Sequence, residues 1–480
     1  MDGKGTRDDL RLTRSVGRLE CFAFAARPAS LYDTEVTRRM PSTRFSNTPR
    51  TPLLVLLNKM VPARPHEVRA FVLAFLCNFV LLASYYLLRP VRDAMATVFG
   101  VAQLQDLFTG TLLLTLVCSP VFAWLTDTFK LSRLLPSVFG FLVLNIVGFY
   151  FWFAGNPESR ALAAAFYWWF SVVNLFMVSV FWSLMVDVFT PDQASRLLPG
   201  IAGGGPLGAI AGSAIATLFV KKVGDTGLLL LAAAGLVGVI VLVWCLIHEK
   251  RRMQEAREEA QSSSMERKLQ GNFFDGFKVL FTSGYQINQA LFMLLMTWIA
   301  TIGYFLQTDM IAKAFSDVTS RTQALADIDL VVNICSAAIA VLGLTRVIKW
   351  FGVTGSLVLN PILMVISFVL MAVSPTLLML QATQALRRIT QYGIARPSRE
   401  ICFTVVDQES RYKTKNIIDV VVYRFGDLSS AWVQTGLRAV GFGLNGILGV
   451  GILASGLWAV SAWTLGRQYE RRKADQAKSS

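Results

Sequence analysis

The sequence predicts an all-α membrane protein of twelve transmembrane helices in two six-helix pseudo-repeats. Three observations predict it: an apolar composition, apolar blocks recurring at membrane length, and short motifs repeated between the halves. Over 480 residues the chain is 54% hydrophobic, with a mean hydropathy of +0.50. That is more apolar than a water-soluble chain of this length.

The blocks run near twenty residues, the length that crosses roughly 30 Å of hydrocarbon. Six lie near 68–93, 106–126, 133–154, 162–189, 197–220 and 226–247. Six more lie near 285–308, 326–348, 353–374, 376–398, 415–437 and 442–466. Between them stands "EKRRMQEAREEAQSSSMERKLQGN", with six basic and five acidic residues and no apolar face. The expected organisation is a disordered basic leader over 1–60, a six-helix half over 61–248, a linker over 249–284, a second half over 285–466 and a basic tail over 467–480. Within the linker, "FFDGFKVLFTSGY" (Phe273–Tyr285) reads as an amphipathic helix lying on the membrane surface. The leader holds no apolar run of signal-peptide type, and its six acidic residues argue against a transit peptide.

The formal charge is +15, and its placement decides its meaning. Twelve Lys/Arg precede residue 67, seven sit in the linker and five in the tail. With the basic loops around Lys130 and Arg133, Arg196, Arg346 and Lys349, and Arg411 to Lys415, this puts both termini and the linker in the cytoplasm. The membrane expected is a bacterial inner membrane, ahead of a plastid envelope. No basic groove with interleaved aromatics is visible, so nucleic acid is not an expected partner. The six cysteines are scattered with no CxxC spacing, and His66 and His248 are the only histidines. Disulfide frameworks, zinc sites and histidine-based triads are therefore not expected, nor is an enzyme, a metal or a cofactor. Protein partners are not legible.

The halves repeat. "DQASR" (Asp192–Arg196) matches "DQESR" (Asp407–Arg411) at an offset of 215, and "YYLLR" (Tyr85–Arg89) compares with "GYFLQ" (Gly303–Gln307) at 218. "FAWLTDTFKLSR" (Phe122–Arg133) and "GLTRVIKWFGVTG" (Gly343–Gly355) occupy corresponding loops. Two parallel repeats of six spans are the plan of major-facilitator carriers. "AWLTDTFKLSR" also resembles that superfamily's signature loop, with Asp127 and Arg133 in place and Ala123 where a glycine is usual.

Charge inside the spans marks function, because an arginine near the bilayer centre costs about 2.5–3.5 kcal/mol. The first span carries Arg89, Arg92 and Asp93, with Arg89 and Asp93 spaced as an i,i+4 pair and Pro90 predicted to kink or end the helix. The tenth carries Arg387, Arg388, Arg396, Arg399 and Glu400, and the eleventh Asp419, Arg424 and Asp427, just after Lys415. Basic residues exceed acidic ones, so the surplus calls for an anion. Arginine suits phosphate, since its planar fork donates two parallel hydrogen bonds at any pH. The expected substrate-binding set is Arg89, Arg92, Arg396, Arg399 and Lys415, with Asp93, Glu400, Asp419 and Asp427 as charge partners. Tyr85, Tyr86, Trp182 or Tyr392 would offer a flat face to a base.

Here the residues resemble a known family. "YYLLRPVRDAM", "NLFMVSVFWSLMVDVFTPDQASRL", "GIAGGGPLGAIAG" and "ARPSREICFTVVDQESRYKTKNIIDVVVYRFGD" are similar to the ATP/ADP translocases of plastids and intracellular bacteria, and most of all to the NTP/NDP exchange transporters of free-living bacteria. The resemblance covers roughly residues 60–466. It implies nucleotide exchange by alternating access without hydrolysis, and it assigns Lys415 to the family's essential lysine. Where plastid-type members carry acidic residues, this chain has Asn174 and Gln307, here taken as possible polar selectivity positions. The basic half of the site is kept and the acidic half lost. Two other readings stand beside nucleotide exchange: a carrier for another organic anion, proton-coupled in one version, and a non-transporting sensor or scaffold.

Two signals are set aside. "GIAGGGPLGAIAG" lacks the GK[ST] of a phosphate loop. Its Gly204, Gly208 and Gly212 stand four apart and predict close helix packing in lipid. Asp327 and Asp329 read as a solvated start to the eighth span rather than as coupling carboxylates.

Overall fold

The structure, a computed structural model, describes residues 64–480 except Lys130, 259–279, Thr282, 408–409, 412–413, Asn416 and Ser480; at a few further helical positions, Asp127 and Arg133 among them, it describes the backbone only. The leader and most of the linker, with its expected amphipathic helix, lie outside the described residues.

Among the described residues, eight helical stretches are long and apolar enough to cross a bilayer. Two of them each join two spans through a glycine with positive φ, Gly224 at 69° and Gly352 at 66°, a backbone conformation that residues with a Cβ resist. Two further helical segments, 377–405 and 417–439, are too charged to pass the same test, because they carry the arginines and carboxylates noted above. Together these are the twelve spans. The first four are Val68–Phe99, Leu104–Thr128, Leu131–Gly155 and Arg160–Val188, and the fifth and sixth meet at Gly224. The seventh is Gly284–Ala314, the eighth and ninth meet at Gly352, and the twelfth is Leu444–Ser479.

Helix starts follow side-chain chemistry. Thr190 and Gln193 form a capping box ahead of Pro191, and Asp317 Oδ2 accepts from the Ser320 amide at 2.8 Å. The eighth span therefore begins at Val318, earlier than its apolar run suggests, and Asp327 and Asp329 lie well inside it. The first span also departs from expectation. It runs unbroken through Pro90 to Phe99, with Leu87, Leu88, Val91 and Ala94 buried on either side of the proline.

Each half owns a core. In the first, Phe139, Phe166, Phe170 and Phe181 are buried together; in the second, Phe292, Phe368, Phe403 and Trp458. The glycine stripe packs as predicted. A Cβ on Gly208 or Gly212 would collide with the backbone carbonyl of Phe79 or Ala83, and one on Gly204 would stand 2.6 Å from the Phe75 carbonyl. Spans one and five thus touch backbone to backbone.

Besides Asn333 of span eight, whose amide donates to Ser213 Oγ of span five at 3.0 Å, several contacts join the halves at the far ends of the spans from residues 64 and 479. Arg321 Nη1 donates to Thr97 Oγ1 at 3.0 Å, Thr319 Oγ1 to Asp225 Oδ2 at 2.8 Å and Thr435 Oγ1 to Gln105 Oε1 at 3.0 Å. Phe108 stacks on Phe305 at 6.0 Å and meets Tyr304 edge-on at 5.8 Å.

Candidate functional site

Span one delivers the first cations to the interface. Arg92 Nε lies 2.9 Å from its neighbour Asp93, and its guanidinium stands 5.1 Å over the Tyr167 ring and 5.5 Å over Phe170. Asp93 also accepts from Tyr304 Oη of the other half at 3.2 Å. Arg89 does not make the expected i,i+4 pair with Asp93. Its Nε lies 3.7 Å from Asp329 on span eight, and its guanidinium is 5.4 Å over Tyr86. Asp93 is already engaged from both sides, which leaves Arg89 to reach across the interface.

Span ten supplies the facing cations. Arg388 pairs with the other oxygen of Asp329 at 2.6 Å. Arg387 donates only to neutral side chains, Gln384 at 3.0 Å and Gln391 at 2.8 Å, while Arg396 sits 4.8 Å over the Tyr392 ring. Among the described residues, neither Arg387 nor Arg396 has a carboxylate within ion-pair distance. The backbone between them is a π turn, Gln391–Ala395. Pro397 explains it, having no amide hydrogen and a ring that crowds the carbonyl of Gly393. Gly393 also lets that turn lie against Ile339 of a second π turn, Ile339–Gly343 of span eight, where a Cβ would come within 2.9 Å.

A second charged cluster stands apart. Arg399, 4% exposed, contacts Asp419 at 2.7 Å, Glu400 at 3.3 Å and the Met293 sulfur at 3.2 Å. Lys415 Nζ binds the other oxygen of Glu400. Two cations meet two carboxylates, so this cluster is balanced. On span eleven, Arg424 lies 3.9 Å from Asp427, which also accepts from Thr301 at 3.2 Å.

The central cluster is not balanced. Arg89, Arg92, Arg387, Arg388, Arg396 and Arg424 share three carboxylates: Asp93, Asp329 and Asp427. They belong together electrostatically, since Tyr392 interacts with Arg89, Arg387, Arg388 and Arg396, and Asp427 with Arg92, Arg387 and Arg424. Arg387, Arg396, Tyr86, Tyr392 and Tyr423 are partly exposed, so water reaches the cluster. Six of the eleven tyrosines surround it: Tyr85, Tyr86, Tyr167, Tyr304, Tyr392 and Tyr423. Trp182 instead packs against the first half's core beside Phe181. Asn174 is partly exposed on span four, and Gln307 is buried on span seven.

Asp329 is the correction that matters most. It is 2% exposed and joins Arg89 of one half to Arg388 of the other, rather than being a solvated helix start. The signal was present in the sequence: a carboxylate eleven residues past Val318, followed at once by the apolar run "LVV". The expectation placed Asp329 at a solvated helix start, and the binding set drawn from the sequence left out Arg387 and Arg388.

Opposed arginines from two six-helix halves, with too few carboxylates to balance them, are the parts of a site between halves that alternate access. Residues 74–389 match the model of the Major Facilitator Superfamily. The chain belongs to that superfamily. It is accordingly a membrane carrier, and solved facilitator structures share its fold. A bacterial homologue of the human lysosomal transporter Spinster, inward-facing and unoccupied, is 14% identical, with a TM-score of 0.52 over 85% of this chain and 99% of that one. The nucleoside transporter NupG is 14% identical, with a TM-score of 0.51 over 84% and 98%. A bacterial homologue of the iron transporter ferroportin, in an inward-facing state, is 12% identical, with a TM-score of 0.57 over 83% and 99%. No curated protein matches this facilitator's sequence.

Proposed function

We propose that this facilitator exchanges nucleotides across a bacterial inner membrane, with both termini in the cytoplasm and the cargo phosphates held between the halves. The observation that carries the reading is the uncompensated charge of Arg387 and Arg396 beside Arg89, Arg92 and Arg388. Holding such cations without an anion costs free energy in a low-dielectric setting, and a polyphosphate supplies the missing charge in bidentate form. The surrounding tyrosines offer faces for a base and hydroxyls for phosphate oxygens. Exchange follows when the halves rock about the site.

Within this reading Arg399 and Lys415 have a second role. Their charges are met by Glu400 and Asp419, so they hold spans ten and eleven together beside the cargo. The resemblance to nucleotide exchangers assigns Lys415 to phosphate, and release from Glu400 would free it for that purpose.

Counterflow tests the proposal. Purified protein in liposomes loaded with ADP takes up labelled ATP, and Arg396→Ala or Arg387→Ala removes that uptake while the protein remains folded. Uptake that needs a proton gradient and no internal nucleotide would favour the organic-anion alternative. The buried Asp329 and the partly exposed Asp427 recommend that alternative, since they stand at the site where protons would couple.

A further inference from the structure

Asp329 stands where an anion would stand. One carboxylate, almost fully buried, faces the guanidinium of Arg388 at 2.6 Å within its own half and that of Arg89 at 3.7 Å across the interface. No other carboxylate among the described residues lies within ion-pair distance of either arginine. The remaining groups facing it are polar or cationic. Tyr86 interacts with it from span one and with Tyr392 of span ten, and Tyr392 in turn interacts with Arg387 and Arg396.

We infer that Asp329 is a built-in competitor for the cargo: an internal anion that occupies Arg89 and Arg388 when the site is empty and is displaced by the arriving phosphate. This rests on the proposed function for the identity of the cargo, though not for the tether itself. Leaving the buried Arg388 and the largely enclosed Arg89 bare would be costly, so an empty carrier needs such a substitute. The substitute also sets selectivity. An anion must outcompete a carboxylate already in place, which favours ligands with several charged oxygens over monocarboxylates. The same exchange eases release, because Asp329 returns to the arginines as the cargo leaves.

The test uses the purified full chain in nanodiscs, with inorganic pyrophosphate and ATP as probes. Asp329→Asn removes the competitor and is expected to tighten pyrophosphate binding by about tenfold, a change of about 1.4 kcal/mol. Counterflow by the same variant is expected to slow, because release loses its driving partner. Without any ligand, Asp329→Asn lowers Tm, and adding Arg388→Gln restores part of the loss by removing the bared cation. Unchanged or weaker pyrophosphate binding by Asp329→Asn, with its fold intact, overturns the inference. So does a ligand-free double variant whose Tm loss is the sum of its singles. A wild type that binds neither probe, beside an Asp329→Asn protein that binds pyrophosphate, would sink nucleotide exchange and leave the tether standing.

Discussion

Arg396 and Arg399 sit three residues apart on the same helix, yet they live in opposite electrostatic settings. Arg399 is enclosed by Asp419, Glu400 and the Met293 sulfur. Arg396 has the Tyr392 ring and no carboxylate among the described residues. The difference teaches that an intramembrane arginine signals a ligand most directly where its neighbours fail to neutralise it. An arginine enclosed by two carboxylates, as Arg399 is, holds helices together.

Four substitutions sharpen or break that contrast. The largest effect is expected at Arg399. Arg399→Ala removes an almost fully buried guanidinium that joins Glu400 and the partly exposed Asp419, and should cost about 3 kcal/mol or more of stability, seen as a lower Tm and poor recovery of folded protein. Next is Glu67, at the terminal face just before span one, where Gln193 and Arg196 donate at 2.9 and 3.0 Å and the Arg64 amide at 2.9 Å. Burial opposes its charge, but these donors prevail and hold its carboxyl at about 2, against an ordinary 4.5. Because the folded value is depressed, its contribution is complete above pH 4.5 and disappears as pH falls through 2. Glu67→Gln should therefore trail the wild type by on the order of 3 kcal/mol near neutrality, with the gap closing toward pH 2.

Arg396→Ala comes third and reverses the pattern of Arg399. Its Tm should match the wild type, while nucleotide binding weakens by about 1.5–3 kcal/mol for the charged hydrogen bond lost. Equal Tm losses at Arg396 and Arg399 would erase the distinction between the clusters. The smallest effect is expected at Arg411, the repeat partner of Arg196. Arg196 grips a buried carboxylate, whereas Arg411 donates to the backbone carbonyls of Thr404 at 3.1 Å and Val406 at 2.8 Å. Arg411→Gln should cost only about 1 kcal/mol.

The spans were legible because their cause is local: apolar length, turn glycines and capping residues all act within a few positions. The two-half plan was legible through repeated motifs such as "DQASR" and "DQESR". The sorting of charges was not. At a spacing of three, Arg396 and Arg399 fall on neighbouring sides of one helix, and only the packing of spans seven and eleven decides which is enclosed. The partner of Arg89 was hidden for the same reason, since Asp329 lies 240 positions away and in the other half. Arg387 and Arg388 were visible as charges, but which of them Asp329 neutralises is a tertiary fact.

The glycine stripe of span five decides how this carrier is allowed to move. Spans one and five touch through bare backbone at Gly208 and Gly212, so one cannot rotate or slide past the other without a collision. Arg89 and Arg92 are therefore bolted to the first lobe like teeth on a gear, and a change of access has to turn that whole wheel. A methyl group at Gly208 would jam the mechanism some distance from any charge.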